Sequence, residues 1–504
     1  MGIYDYTIYS IIKRNSRIYN NRTALIFENK RISHLQFLEI VDRLASGLQR
    51  VGLKKGDRIG ILAQNSLEFV YLYGAAAKIG AVIIPINWRL KSEEIEYIVS
   101  NGASKILFVG SEFQEMIRPL ISKLNFIENW YAMGEADGGF EDFNDLTENK
   151  QINDKVTVHP DDEYIIIYTA AVTGKPRGAI LTHQNLITAN SQQMYYWRLT
   201  KEDVHIITVP LFHIAGIGMT LCLIQAGGSN IIIPKFDETL ILKHIQENKA
   251  TIFCEFPPML KVLLEKAQEG NYDLSSLKKV VGLDHPETIK RLEEMTEATF
   301  WTGYGQSETS GVFCFAPYFG RLGSAGIPGF LVEVEIVDDY GNIMGTGKSG
   351  EIVVRGPIVF KGYWRLEKEN EYTFREGWHH TGDTGYFDED GYLWYKGRTP
   401  TKELIKPGGE NVYPAEVEKA ILEHPLVEEV VVIGVPDPQW GEAIKAVCVL
   451  KKGESMKETD LIEFVSSRIA RFKKPKYVVF VSNLPKKENG LIDRDDVKVK
   501  YGKA

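Results

Sequence analysis

Short apolar runs alternate with stretches of helical spacing twice along this chain, and that alternation constrains the fold more than any other feature. In ISHLQFLEIVDRLASGLQRVGL (32–53) the apolar residues recur at helical spacing, whereas RIGILAQ (58–64) reads as a buried strand. EFVYLYGAAAKIGAVIIPI (68–86) reads as a helix, a glycine break and another strand, and SEEIEYIVSNG followed by KILFVG repeats the cycle. The pattern resumes with the strand DEYIIIYTA (162–170), a loop and the helix HQNLITANSQQMYYW; HIITVP, NIIIPK and TIFCEF then follow as strands between helices. Such alternation predicts an α/β domain built on parallel sheets. From about residue 323 the texture changes: VEVEIVDDYGN, GEIVVRG and GYLWYKG are short strands split by Gly and Asp turns, which predicts a small β-rich segment, a distorted barrel. A second, smaller unit with helices and strands begins near residue 400, where Gly, Pro and charges cluster in GRTPTKELIK (397–406). At 504 residues the chain exceeds what one hydrophobic core serves, so at least two domains are expected.

The net charge is −8, with acidic and basic residues interspersed, which argues against a nucleic-acid partner but leaves room for a small anionic ligand in a local basic loop. Cys222, Cys254, Cys314 and Cys448 are widely spaced and form no CxxC pair, so they predict small buried hydrophobes rather than disulfides or a zinc site. The first fifteen residues carry charge throughout and do not read as a signal peptide, and no apolar run reaches the ~18 residues of a membrane span. A cytoplasmic location is the expectation from these features.

The stretch YTAAVTGKPRG (168–178) joins a predicted strand to a predicted helix and carries Gly174, Lys175, Arg177 and Gly178, as a phosphate-binding loop does. It is not a Walker A loop, because Pro176 follows Lys175 where Ser or Thr would bind magnesium. Downstream come PLFHIAG (210–216), WTGYGQSET (301–309), GSAGIPG (323–329), GEIVVRGP (350–357), HTGDTGYFDEDGY (380–392), GRTPTKELIKPGGENVYPAEVE (397–418) and RFKKPKYVVFVSNLP (471–485). This ordered series resembles the adenylate-forming superfamily of acyl-CoA synthetases and AMP-dependent ligases, from about residue 20 to 495.

The resemblance implies an AMP-forming carboxylate–CoA ligase. A carboxylate attacks the α-phosphate of ATP, and a thiol then displaces AMP from the acyl-adenylate. It implies an AMP-binding domain over 1–397 and a mobile C-terminal lid over 398–504, hinged within 398–402, with ATP/AMP, magnesium and coenzyme A as cofactors and a small carboxylic acid as partner. Fatty, aromatic and alicyclic acids all fit. The resemblance assigns nucleotide binding to Thr169, Thr173, Gly174, Lys175, Arg177, Gly282, Asp284, Tyr304, Gly305, Gln306, Ser307, Asp383 and Arg398. Within that set, Asp383 would take the ribose hydroxyls and Tyr304 would stack on adenine. Glu308 would hold the metal, His213 would sit at the mouth of the acyl pocket, and Lys402 aligns with the hinge. Phe212, Gly216, Phe256, Trp301 and Gly303 would line the acyl pocket; Lys406, Gly408, Gly409, Glu410, Arg471 and Lys473 would line the CoA tunnel.

Two departures concern one half-reaction. In the phosphate loop Ala170, Ala171 and Val172 replace Ser, Gly and Thr of the family pattern, removing two hydroxyl donors and a permissive glycine. Near the C-terminus the family usually has a lysine that bridges carboxylate and α-phosphate, and this chain has Leu491 in its place. The resulting expectation is a weakened ATP-cleaving step. Two alternatives stand beside it: a degenerate member that binds acyl-CoA or nucleotide, or one that runs only the acyl-AMP/acyl-CoA exchange.

Overall fold

The computed structural model describes residues 2–148, 155–169, 175–338, 340–398, 404–486 and 492–503. Two large sheets form the N-terminal domain. In one, the strands Thr299–Gln306, Lys279–Gly282, Ile252–Glu255, Val204–Ile207, Ser229–Ile232 and Thr23–Phe27 run parallel, with short antiparallel strands at both edges. In the other, Glu163–Thr169, Val82–Pro85, Arg58–Leu62, Ser104–Gly110 and Asn129–Met133 are the parallel core. Both sheets follow from the alternating sequence pattern.

The helices Leu67–Ile79 and Ile214–Ala226 are apolar on nearly every face and lie in the core that joins the sheets, with Leu25, Ile61, Ile207 and Ile232. The helix His34–Arg50 packs beside Leu67–Ile79 at Gly74, where a Cβ would stand 2.4 Å from a Val41 methyl. Only hydrogen permits that approach.

The β-rich segment is a four-stranded antiparallel sheet of Glu333–Val337, Gly350–Arg355, His379–Phe387 and Leu393–Arg398. A smaller C-terminal domain carries the strands Val427–Asp437, Gly441–Leu450 and Tyr477–Phe480 under the helices Pro414–Leu422 and Glu458–Arg468. All four cysteines are free and buried, as expected. Among the described residues no helix is long and apolar enough to cross a membrane.

One local expectation fails. The phosphate-type loop does not lead from a strand into a helix. It joins Glu163–Thr169 to a second strand, Arg177–Thr182, paired with it antiparallel, and the helix His183–Tyr196 starts only afterwards. The run RGAILT is continuous in β propensity, and pairing with a buried neighbour satisfies its backbone. The helix that follows in sequence therefore does not start at this loop, and Lys175 and Arg177 lie on the strand side of it.

The domains meet around the helix Ser92–Gly102. Lys473 of the C-terminal domain is 3% exposed and lies 2.5 Å from both Glu94 of that helix and Glu416 of its own domain. Lys91 donates to the Ser466 carbonyl at 2.7 Å, and Arg89 pairs with Glu410 at 2.5 Å. Replacing Lys473 by methionine leaves two half-buried carboxylates without their cation, which costs less than the about 3–5 kcal/mol of breaking a fully buried pair but still destabilises. K473M should therefore make the C-terminal domain melt earlier and open to protease first; an unchanged urea midpoint would contradict this.

Three buried histidines make the fold acid-sensitive. Burial lowers His183 from 6.5 to about 3, and His34 and His205 to about 4. The His183 ring stacks on Tyr164 at 4.4 Å, with both nitrogens unpartnered among the described residues. The folded chain resists protons that the unfolded chain accepts, so stability is intact above pH 6.5 and falls as pH drops toward 3–4. Urea unfolding from pH 7 to 4 should show this loss, and H183F should make its slope shallower.

Candidate active site

Asp383 is the fixed point of a crevice built by distant segments. It lies in the strand His379–Phe387, is 1% exposed, and pairs in register with Arg398 of the neighbouring strand. Its Oδ2 accepts from the Tyr304 hydroxyl at 2.6 Å and from the Gln306 amide at 2.7 Å; its Oδ1 lies 3.3 Å from the Arg398 guanidinium. Gln306 also donates to the Thr381 carbonyl at 3.1 Å. Tyr304 and Gln306 come from the edge-adjacent strand Thr299–Gln306 of the first sheet, so this carboxylate ties that sheet to the antiparallel one.

Glu308 follows two residues later in a short 3-10 turn, is 8% exposed, and accepts from the Tyr363 hydroxyl at 2.8 Å. The guanidinium of Arg177 lies 4.2 Å over the Tyr363 ring, and the Lys175 ammonium lies 5.7 Å over Tyr97. The Tyr363 ring thereby holds the Arg177 cation beside Glu308, while Lys175 rests on a different aromatic face. Among the described residues no group of three or more His, Cys, Asp or Glu is placed to hold a metal, which leaves Glu308 a lone carboxylate donor there. Such a donor fits a magnesium ion held mainly by a nucleotide's phosphates.

Of the other expected nucleotide residues, Gly305 and Ser307 adjoin Gln306 in the chain, and Gly282 ends the strand beside Thr299–Gln306. Gly282 ends a strand so close to its neighbour that a Cβ would stand 2.1 Å from the Glu255 carbonyl, and a Cβ on Gly305 would stand 2.1 Å from that of Gly311. Asp284 accepts from the His285 amide at 2.6 Å and lies against the buried Glu255 carboxyl. Ser307 is buried, and Thr169 ends the strand that enters the loop. Thr173, Gly174 and the hinge candidate Lys402 lie outside the described residues, as does Leu491.

The segment KPGGEN folds over Phe256 and Pro257. A Cβ on Gly409 would stand 3.1 Å from the Phe256 ring and one on Gly408 3.6 Å from the Pro257 carbonyl, and both glycines have positive φ, +85° and +56°. Only glycine holds this backbone against the ring without strain. Glu410 receives Arg89, whose guanidinium lies 5.8 Å from the Phe212 ring, and Asn87 donates to it at 3.4 Å. Burial, reinforced by Arg398, lowers the Lys406 ammonium from its ordinary value; Asp383, Glu442 and Glu308 act against this.

His213 caps the helix Ile214–Ala226, its Nδ1 accepting from the Ala215 amide at 3.2 Å. Burial, with Lys406 and Arg89 nearby, lowers it to about 4, so the ring is neutral near pH 7 and its Nε2–H is a donor. Phe256 and Trp301 pack on an apolar cluster with Met219, Cys254, Val281 and Phe315. Gly216 and Gly303 instead make close backbone approaches, with Cβ positions 2.1 Å from the Pro210 carbonyl and 2.5 Å from the Cys314 carbonyl.

Sequence reading groups Arg471, Lys473 and Lys474 as one basic cluster. The structure splits it: Arg471 and Lys474 are exposed, while Lys473 turns inward to Glu94 and Glu416. The reading also missed Glu351, which receives the Gly382 amide at 2.9 Å, His380 at 2.8 Å and Arg375 at 3.0 Å and so braces the strand that carries Asp383. Its position inside GEIVVRG was legible, but its partners come from thirty residues away.

Residues 12–364 match the family described as AMP-binding enzyme, and residues 416–491 match the AMP-binding enzyme C-terminal domain. Feruloyl-CoA synthase from Amycolatopsis is 32% identical over 497 residues, covering 97% of this chain and 98% of that protein. Indoleacetate–CoA ligase from Aromatoleum aromaticum is 32% identical over 498 residues, covering 97% and 96%. The o-succinylbenzoate CoA synthetase of Bacillus subtilis, 27% identical, covers 98% of both chains in two solved states. The TM-score is 0.86 for a double mutant bound with the product analogue OSB-NCoA and 0.71 for the complex with AMP.

Asp383→Asn keeps the shape of the carboxylate but removes its charge, and charged hydrogen bonds are worth about 1.5–3 kcal/mol. AMP affinity measured by calorimetry should fall about ten- to a hundredfold, and the melting temperature should fall as well, because Arg398 loses its buried counter-ion.

Proposed function

Because the chain belongs to the AMP-binding enzyme family, we propose that it joins an organic carboxylic acid to coenzyme A through an acyl-adenylate, with the roles below. The chain is an acid–thiol ligase of the AMP-forming kind. The observation that carries the particular roles is the crevice itself, in which Tyr304, Gln306, Asp383 and Arg398 converge opposite the KPGGEN loop.

In the first half-reaction an oxygen of the acid bonds to the α-phosphorus of ATP, and the bond to the β-phosphate breaks to release pyrophosphate. In the second, the thiol sulfur bonds to the acyl carbon and the acyl–phosphate bond breaks to release AMP. Asp383 holds the ribose, with Arg398 beside it. The loop backbone with Lys175 and Arg177 steadies the phosphates, and Glu308 would hold magnesium, whose charge offsets that of the phosphates. The neutral His213 donates its Nε2–H toward the acyl oxygen and holds that group in place. Lys406, Gly408, Gly409 and Glu410 line the thiol's path.

We place the AMP-binding domain at 1–397 and the lid at 398–504, turning about 398–402 between halves. The closer superposition on the CoA-product state of the Bacillus enzyme supports reading this lid orientation as the thioester-forming one. Release of AMP from ATP, coenzyme A and a panel of aryl and alkyl carboxylic acids tests the proposal; no release with any acid would overturn it.

A second reading rests on Leu491 and on Ala170, Ala171 and Val172. An isobutyl group offers the developing phosphoryl charge no donor, and one preorganised donor is worth about a hundred- to a thousandfold in rate. The chain would then run thioester exchange from acyl-AMP much faster than ATP cleavage. Leu491→Lys should raise ATP–pyrophosphate exchange by about that factor while leaving the rate from synthetic acyl-AMP nearly unchanged. Fast exchange by the natural chain would exclude the weakened step.

A further inference from the structure

The helix His183–Tyr196 carries a buried carboxamide whose oxygen has no hydrogen-bond partner among the described residues. Gln193 lies on the inner face of the helix His183–Tyr196 and is 3% exposed. One turn before it, Ala189 packs into the cluster of Tyr304 and Phe313. One turn after it, Trp197 packs edge-on to Phe315 at 5.7 Å within the cluster that Phe256 and Trp301 adjoin. Gln193 therefore stands between the nucleotide crevice and the apolar acyl side.

Its neighbours on the helix are each tied by one end of the amide, although the Gln192 Nε2 and the Asn190 Oδ1 are also buried with no hydrogen-bond partner among the described residues. Gln192 accepts from the Leu331 amide at 3.0 Å, and Asn190 donates to Gln225 at 3.2 Å. The Gln193 Oε1 is fully buried with no hydrogen-bond partner among the described residues. Its Nε2 reaches toward Gly311, where a Cβ would stand 3.3 Å from it and 3.9 Å from Ile214, the residue after His213. Gly311 has φ +111° and pairs in register with Gln306 of the crevice. Glycine at 311 therefore lets the amide nitrogen lie where a side chain would press on it, close to the residue that follows the acyl-orienting histidine.

A buried amide without a partner opposes folding, and an apolar residue of similar shape would pack there without that cost. The arrangement makes physical sense when a ligand completes the hydrogen bonds. We infer that Gln193 is a specificity-determining residue of the acyl pocket, and that the preferred acids carry a neutral hydrogen-bonding group, a hydroxyl, ether or carbonyl, on an otherwise apolar body. The surrounding Ala189, Trp197, Ile214, Gly311 and Val312 carry no charge, so a second carboxylate would be buried without a counter-ion and is disfavoured. This deepens the acid–thiol ligase reading and rests on it.

The test uses full-length protein and non-hydrolysable acyl-sulfamoyl adenosines, which bind without turnover. One analogue carries a phenylpropanoyl group, and its match carries a ring hydroxyl. Calorimetry should show the hydroxylated analogue binding at least about tenfold tighter, since a site built to hydrogen-bond rejects the ligand lacking that group. In Gln193→Leu and Gln193→Met the preference should vanish or reverse, with thioester formation showing the same change in KM rather than kcat. Equal binding of the pair by the natural chain, or a preference that survives both substitutions while both variants stay folded, overturns the role of Gln193 but not the ligase reading. Failure of both analogues to bind overturns the role and the crevice together.

Discussion

The burial of one carboxylate organises this molecule. Asp383 is almost fully enclosed, and a buried charge persists only when its partners are all present. Tyr304 and Gln306 come from one sheet and Arg398 from another, so satisfying Asp383 fixes the angle between two sheets that share no backbone ladder. Glu351 fixes the strand of Asp383 from behind through the Gly382 amide and His380. The crevice follows from this polar joint, while the apolar helices between the large sheets supply the rigidity behind it.

A second joint sets the small domain against the large one. Lys473 bridges carboxylates of both domains, Arg89 reaches Glu410, and two positive-φ glycines lie against Phe256 and Pro257. The contacts mix these ion pairs with an apolar patch, where Ala470 and Phe472 of the small domain join the cluster of Leu90, Ile95 and Ile98.

Much of this was legible in residue order. The alternation of apolar runs and helical spacings gave both large sheets, because a strand buried on both faces must be continuously apolar. The ordered motifs placed Tyr304, Glu308, Asp383 and Arg398 in one crevice. The strand Arg177–Thr182 was not legible, because RGAILT has no turn signal to part it from the helix after it. The separation of Lys473 from Arg471 and Lys474 was equally hidden: a charge run records type and spacing but not which side chain a facing domain turns inward.

The sequence by itself determined the α/β class, the adenylate-forming family and the chemical kind of each crevice residue, because periodicity and motif order are properties of neighbours along the chain. The tertiary structure alone decided which oxygen of Asp383 meets which donor, that His213 is neutral, that Glu351 stands behind the strand of Asp383 and that the Gln193 amide oxygen has no partner among the described residues. Those outcomes depend on burial and on distances between segments tens to hundreds of residues apart, and neither is encoded by local spacing.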